Sequence, residues 1–188
     1  LEGIVIIVGN YGSGKTEIYL NLIKREMDRG RGAIVLVPEI SLTPLAVSRF
    51  DRRFPGCVAV LHSGLSRGER LDAWNMVQRG ERKIVIGPRS AVFAPLGNLG
   101  IIVVDEEHDG SYKQGSTPRY NGRDLAVVRG SMEGIPVVLG SASPSAESWK
   151  NALDRRYTLV TLPDRATGRE LPGITLVNTA SSGHSLLS

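Results

Sequence analysis

Residues 9–16, near the N-terminus, match the pattern G-x-x-x-x-G-K-[ST] without a mismatch. The apolar run 4–8 leads straight into them, and residues 17–27 follow with an apolar face at helical spacing. Glycines at these positions let the backbone curl so that several N–H groups point into one concavity, which suits an anion at the start of a helix. We therefore predict a phosphate-binding loop between a buried strand and a helix. A glycine-rich turn without a ligand is the alternative, and the Lys-Thr pair in register argues against it.

The residue types in this loop predict Mg·ATP as its ligand. Lys15 is placed to reach the β- and γ-phosphates, and the Thr16 hydroxyl is placed to ligate Mg²⁺. The residues that we expect to bind the nucleotide are Gly9, Gly12, Ser13, Gly14, Lys15 and Thr16.

Composition limits the class of protein but does not name a partner. The chain has 188 residues, of which 41% are hydrophobic, and this fits one domain with a real core. Its net charge of +4 is too small to identify an anionic partner. The single cysteine, Cys57, excludes an internal disulfide and a thiolate-rich zinc site within these residues. No apolar stretch approaches the ~20 residues of a membrane span, so we expect a cytoplasmic protein without a membrane partner.

Short apolar runs of strand length alternate with helix-compatible segments along the chain. Thr43-Pro44 is typical of a helix start, and residues 66–69 form a capping-box pattern. The alternation predicts an α/β fold with a mostly parallel sheet and helices on both faces. We assign residues 1–162 to one domain, and residues 163–188 to a linker with the truncated start of a next segment. The predicted strands are 4–8, 33–37, 58–61, 84–86, 101–104, 137–139 and 157–162, with one more possible at 174–177.

A second motif follows the buried run 101–104, where Asp105, Glu106, Glu107 and His108 stand in succession. Acidic residues at the carboxyl end of such a strand lie where open α/β sheets place their ligands. Asp105 is predicted to hold Mg²⁺ and Glu106 to polarise the water that attacks the γ-phosphate. A solvated acidic loop is the alternative, and the phosphate loop elsewhere in the chain makes it the weaker one.

Asp-Glu-x-His is also the signature of superfamily 2 helicases, and further segments resemble the PriA family of replication-restart helicases. The resemblance runs from about residue 9 to residue 166. The matching segments are 37–44, 61–66, 87–95, 105–109, 111–114, 119–120 and 140–144.

This resemblance implies a RecA-like ATP-binding motor domain that couples ATP hydrolysis to movement along single-stranded DNA. Catalytic roles then fall to Lys15, Asp105, Glu106 and His108. Hydroxyls and arginines hold phosphates, and aromatic faces stack unpaired bases. For Tyr112 and Tyr120 the alternative is ordinary packing beside a helix. For His62 and Arg89 the alternative is a loop residue whose hydrogen bonds are satisfied within the protein. The residues implied to contact DNA or to couple it to ATP are Pro38, Thr43, His62, Ser63, Arg89, Ser90, Tyr112, Lys113, Arg119, Tyr120, Arg123, Ser141 and Ser143.

The family resemblance also implies partners. These are single-stranded and forked DNA, other primosome or replication-restart proteins, and a second motor domain in the same full-length chain. Zinc is expected only in a part of the full-length protein outside these residues. Because related phosphoryl-transfer sites gain ~10³–10⁵ in rate from an opposing arginine, we expect weak hydrolysis at best from the isolated chain.

Two other classes of function stay open at this point. A P-loop small-molecule kinase also needs residues 9–16, although residues 110–120 do not look like an arginine-rich lid. A non-catalytic nucleotide-binding module that docks replication partners is the second alternative. Two departures from the family's pattern keep this alternative open. Asn10-Tyr11 stands inside the phosphate loop, and Pro88 stands where the family typically has threonine.

Overall fold

The computed structural model describes residues 3–163 and contains a seven-stranded parallel sheet with the strand order β3-β4-β2-β5-β8-β1-β9, beside a short antiparallel pair, β6-β7. The predicted parallel α/β architecture is confirmed. The strands are β1 (Ile4–Gly9), β2 (Gly32–Leu36), β3 (Val58–Val60), β4 (Ile84–Gly87), β5 (Leu99–Val104), β6 (Lys113–Gln114), β7 (Tyr120–Asn121), β8 (Val137–Ser141) and β9 (Thr158–Leu162). The helices are α1 (Lys15–Asp28), α2 (Pro44–Arg53), α3 (Arg67–Gln78), α4 (Gly122–Glu133) and α5 (Ala146–Leu153), with 3-10 turns at Glu39–Ser41, Arg89–Phe93 and Gly110–Tyr112.

Both faces of the sheet are covered, which explains why most of its strands are apolar at every position. Along β1, Ile6 packs into one core cluster while Val5 and Ile7 pack into the other. Tyr19 of α1 and Phe50 of α2 belong to the cluster of Val5 and Ile7, so these two helices cover the same face. Helices α3 and α4 contribute to the opposite cluster.

The helix starts follow the capping patterns seen in the sequence. The Thr43 side chain accepts a hydrogen bond from the Ala46 N–H, with Pro44 at the first helical position. Ser66 and Glu69 form a reciprocal capping box at the start of α3, which ends before Gly80 in the left-handed conformation with φ of 74°. These caps fix where α2 and α3 begin, and both helices begin near the carboxyl ends of the parallel strands.

The edge strand β9 differs from the interior strands. It pairs only with β1 among the described residues, and Leu159 and Val160 are 40% and 37% exposed. The predicted linker and the possible strand at residues 174–177 fall outside the described residues, which end at residue 163. Within residues 3–163 no helix is long and apolar enough to cross a membrane.

Candidate active site

The phosphate loop joins β1 to α1 in the conformation that its glycines permit. Gly12 and Gly14 have φ of 78° and 95°, in the left-handed region that other residues rarely adopt. The Lys15 ammonium is buried and donates to the Gly9 carbonyl at 2.6 Å. Ser13 is buried as well, and its Oγ has no hydrogen-bond partner among the described residues. The loop therefore holds a cation and an unpaired hydroxyl at the start of a helix.

The acidic residues lie at the end of β5, as predicted, and each is held differently. The Tyr19 hydroxyl donates to Asp105 Oδ1 at 3.0 Å, so α1 orients this carboxylate. Burial raises the pKa of Asp105 above its ordinary value. Glu106 is one of two described residues other than glycine with positive φ, at 46°. Burial, with the neighbouring Asp105 charge as the next cause, raises the pKa of Glu106.

The phosphate loop and the acidic residues line one cleft of about 750 Å³, which we call the nucleotide cleft. Of the predicted residues, Gly12, Gly14, Lys15, Thr16, Thr43, Asp105 and Glu106 line it. Arg49 of α2 also lines it, and the sequence analysis did not find this residue. The only sequence feature that pointed to Arg49 was its place in an arginine-rich helix, and such arginines usually lie on a solvated face.

A chain of polar contacts runs from the acidic residues to β8. His108 Nδ1 lies 2.7 Å from Ser141 Oγ and 3.7 Å from Glu106 Oε2. Ser141 Oγ also accepts the Ser143 N–H at 3.0 Å. The structure thus brings together four residues that the sequence placed in two separate motifs, and the contacts join the Glu106 carboxylate to the loop after β8.

A second cleft, of about 540 Å³, lies beside the ends of β3 and β4, and we call it the aromatic cleft. Five residues implied to contact DNA line it, and the sequence analysis missed Trp74, Phe93 and Arg70. Arg89 is held in place because its Nε donates to Gln114 Oε1 at 2.8 Å and its Nη1 to the Ser111 carbonyl at 2.7 Å. The predicted residues in this cleft are His62, Ser63, Arg89, Ser90 and Tyr120.

Other residues implied to contact DNA or to couple it to ATP lie elsewhere. Pro38 is buried at the start of the turn Glu39–Ser41, so its side chain offers no surface to a strand. Thr43 caps α2 and lines the nucleotide cleft instead of the aromatic one. Lys113 and Arg119 are exposed in the β6-β7 segment, and neither lines the aromatic cleft. The Pro38 side chain is thus covered and Thr43 belongs to the nucleotide cleft, while contact of this loop with DNA stays a prediction.

With both clefts described, the chain can be compared with known proteins. Residues 2–152 match the family model of the DEAD/DEAH box helicases. The chain belongs to this family. It is 50% identical over 175 residues to the replication restart protein PriA of Bacillus subtilis, and 48% identical over 181 residues to PriA of Synechocystis. Each match covers 93% of this chain and 22% of the relative, so the resemblance to PriA is confirmed over about a fifth of those proteins' length.

The fold of this helicase-family chain is also found in solved structures. The helicase domain of Hef from Pyrococcus furiosus superposes with a TM-score of 0.58 at 19% identity, over 85% of this chain and 35% of that one. At this identity the likeness concerns the fold alone. The predicted RecA-like fold is confirmed.

Tyr112 of this DEAD/DEAH-family chain does not offer the expected stacking face. It is 1% exposed, and its hydroxyl donates to the Asp105 carbonyl at 2.6 Å. The short turn Gly110–Tyr112 directs the ring into the core, so the ordinary packing considered as the alternative describes it. The coupling role expected of Tyr112 stays a prediction, and the contact available to it is the hydrogen bond to the backbone of Asp105.

Glu107, between two predicted catalytic residues, is the centre of a buried network that the sequence analysis missed. Its carboxylate accepts the Ser145 N–H at 2.7 Å, the Ser148 hydroxyl at 2.8 Å and Arg123 Nη1 at 3.2 Å. The Arg123 side chain is only 12% exposed and forms an ion pair with Glu107, while its expected role in coupling ATP to DNA stays a prediction. This network joins the acidic strand end to the starts of α4 and α5.

Proposed function

We propose that this chain is the first motor domain of a PriA-like DNA helicase, and that it binds Mg·ATP in the nucleotide cleft and couples hydrolysis to movement along single-stranded DNA. The observation that carries the proposal is that two motifs far apart in the sequence line one cleft. Lys15 and Thr16 belong to the first motif, and Asp105 and Glu106 to the second. Membership of a helicase family and the likeness to proteins named for replication restart support it.

The donor set fits a magnesium ion. The Thr16 hydroxyl and the Asp105 carboxylate are hard oxygen ligands, which Mg²⁺ prefers. Tyr19 fixes the Asp105 carboxylate from the side of α1, leaving its other oxygen for the metal. When bound, the ion neutralises charge on the β- and γ-phosphates. Burial raises the pKa of Asp105, and a bound cation would lower it again by stabilising the ionised carboxylate.

The side chains around the phosphates divide the remaining work. Lys15 exchanges its bond to the Gly9 carbonyl for one to a phosphate oxygen, and Ser13 Oγ gains an acceptor from the same group. Glu106 orients the attacking water and accepts its proton, a task that favours a carboxyl with a raised pKa. His108 and Ser141 relay the state of this site toward Ser143.

The partners of the motor are part of the same proposal. We assign single-stranded and forked DNA to the surface that contains the aromatic cleft. An opposing motor domain of a longer protein would supply the arginines that complete the ATP site. Other primosome proteins would contact other parts of that protein, and a part of it outside these residues would hold zinc. Action in the cytoplasm follows from this role.

The nucleotide site is tested by calorimetric titration with Mg·ATP. Hydrogen bonds to charged groups contribute ~1.5–3 kcal/mol, so Lys15→Ala is expected to weaken binding roughly 10- to 150-fold. Lys24→Ala is the matched control, because Lys24 lies on the same helix but pairs with Asp28 at 2.9 Å on the surface. Glu106→Gln is expected to keep the affinity. Equal affinities of wild type and Lys15→Ala would reject the nucleotide site.

Catalysis is tested separately by measuring phosphate release. The isolated chain is expected to turn over slowly with or without single-stranded DNA, because a missing opposing arginine costs ~10³–10⁵ in rate. In the longer protein, DNA is expected to stimulate hydrolysis, and Glu106→Gln is expected to abolish it. Robust DNA-stimulated turnover by the monomeric 188-residue chain would show that the site is complete without a second domain.

A further inference from the structure

The aromatic cleft concentrates rings in a protein that has few of them. Aromatic residues make up only 5% of the chain, yet Trp74, Phe93 and Tyr120 all line this cleft. Phe93 is 52% exposed, and its ring meets that of Tyr120 edge-to-face with centroids 5.4 Å apart. Trp74 is half-buried and packs on the core through its other side. A half-exposed ring pair contributes little to the core, so its ring surface is available to a ligand.

The charges around the cleft suit a ligand that has an anionic backbone and an uncharged ring. Arg70 and Arg89 line it, and Arg89 uses only its Nε and Nη1 in the contacts to Gln114 and Ser111. Arginine carries five N–H donors, so donors remain for a phosphate.

A carboxylate within the same cleft decides which part of such a ligand enters. Glu39 lines the cleft and accepts the Ser63 N–H at 3.2 Å. Hydrogen bonds from Ser63 hold the pKa of Glu39 below its ordinary value, so this group is ionised at neutral pH. An anion placed beside it would be repelled, whereas a neutral aromatic ring would not. The volume of about 540 Å³ is within the usual range for small-ligand pockets.

We propose that the aromatic cleft receives one unpaired base of single-stranded DNA, which stacks on Trp74 and Phe93 while Arg70 and Arg89 hold the adjoining phosphates. This inference rests on the proposed function, because it assumes that DNA passes over this surface, and it adds the base as the group that the surface recognises. Stacking accepts every base because each has a π-face, so the site grips a strand without reading its sequence.

The test uses the tryptophans, of which the chain has two. Trp149 lies on α5 outside the aromatic cleft, so the Trp149→Phe variant leaves Trp74 as the single fluorescent reporter. This variant is titrated with an oligonucleotide of about 12 nucleotides and with an abasic strand that has the same number of phosphates. The base-bearing strand is expected to quench Trp74 and to bind roughly 5- to 150-fold more tightly than the abasic strand.

A second variant separates stacking from folding. Phe93→Leu keeps an apolar side chain at an exposed position but removes the ring, and it is expected to weaken binding of the base-bearing strand roughly fivefold or more while the melting temperature stays unchanged. The control Trp149→Leu removes a ring that is 43% exposed elsewhere, and it is expected to leave the affinity unchanged.

The possible results distinguish the base-stacking inference from the broader assignment of DNA to this surface. If both strands bind equally and Trp74 is not quenched, the base inference is overturned while a DNA-binding motor domain stands. If neither strand binds, the assignment of DNA to this surface falls together with the base inference. In both cases the calorimetric test of the nucleotide cleft keeps its own outcome.

Discussion

The two clefts of this molecule lie on either side of one turn and are built from different chemistry. Glu39 lines the aromatic cleft, and the next two residues, Ile40 and Ser41, line the nucleotide cleft. The nucleotide cleft presents backbone N–H groups, a lysine and carboxylates, which suit phosphates and a metal. The aromatic cleft presents rings with arginines, which suit bases joined by phosphates. The carboxyl end of the sheet therefore carries two kinds of recognition that meet at the three-residue turn Glu39–Ser41.

The clefts are also joined through a second route. The Tyr112 hydroxyl donates to the Asp105 carbonyl in the wall of the nucleotide cleft, and the neighbouring Ser111 carbonyl accepts Arg89 from the aromatic cleft. A shift of Arg89 on contact with a strand would thus reach Asp105, the proposed metal ligand, through two hydrogen bonds. Removing links of this kind shows whether the clefts act together.

The largest expected effect is at Glu107, which joins the end of β5 to the starts of α4 and α5. Removing one partner of a buried ion pair typically costs ~3–5 kcal/mol, so Glu107→Ala is expected to lower the free energy of unfolding by about that amount. Urea denaturation measures it. The neighbouring Glu106→Gln variant is the control, because the Glu106 side chain is partly exposed and supports no comparable network. A stable Glu107→Ala chain that retains ATP and DNA binding would show that the clefts do not depend on this network.

The tyrosines test the connection between the clefts directly. Tyr112→Phe keeps the buried ring and removes only the hydroxyl, so we expect a loss of ~0.5–1.5 kcal/mol in stability together with weaker DNA stimulation of the ATPase in the longer protein. Tyr120→Leu is expected to weaken DNA binding with unchanged stability. Thermal melts beside ATPase titrations with single-stranded DNA separate the two. Full DNA stimulation in a folded Tyr112→Phe enzyme would remove this route of coupling.

The same contrast between the clefts explains what the sequence could predict. The nucleotide cleft was predictable because residues 9–16 are contiguous and Asp105 follows a buried strand, so local pattern and strand-end geometry suffice. The grouping of rings in the aromatic cleft was not predictable, because α3 supplies Trp74, the 3-10 turn Arg89–Phe93 supplies Phe93 and β7 supplies Tyr120. The burial of Tyr112 depends on the direction of a three-residue turn, and the role of Glu107 on serines about forty positions away. No local sequence pattern predicts the burial of Tyr112 or the contacts of Glu107.

Arg49 sharpens the description of the nucleotide cleft. It is exposed and lines this cleft, so a contact to a phosphate contributes about 1 kcal/mol or less after solvent screening. Arg49→Ala is therefore expected to weaken Mg·ATP binding by up to about fivefold in calorimetry. Arg52→Ala is the matched control, since Arg52 lies on the same helix outside this cleft. Equal effects of the two substitutions would mean that only the general charge of α2 matters.

The smallest expected effect concerns pH and the wall of the aromatic cleft. Helix α3 carries Arg70 and Trp74, and its start is held by hydrogen bonds between Ser66 and Glu69 at 2.9 and 3.2 Å. These bonds hold the pKa of Glu69 below its ordinary value, so its contribution to stability is present at neutral pH and is lost as the pH falls through the lowered pKa. Wild type should exceed Glu69→Gln slightly in unfolding free energy at neutral pH, and the difference should vanish in acid. Because other carboxylates titrate in both proteins, the difference isolates this cap. DNA affinity should follow the same small trend while ATP affinity does not, and a difference that is constant with pH would show that the ionised form of Glu69 does not secure this wall.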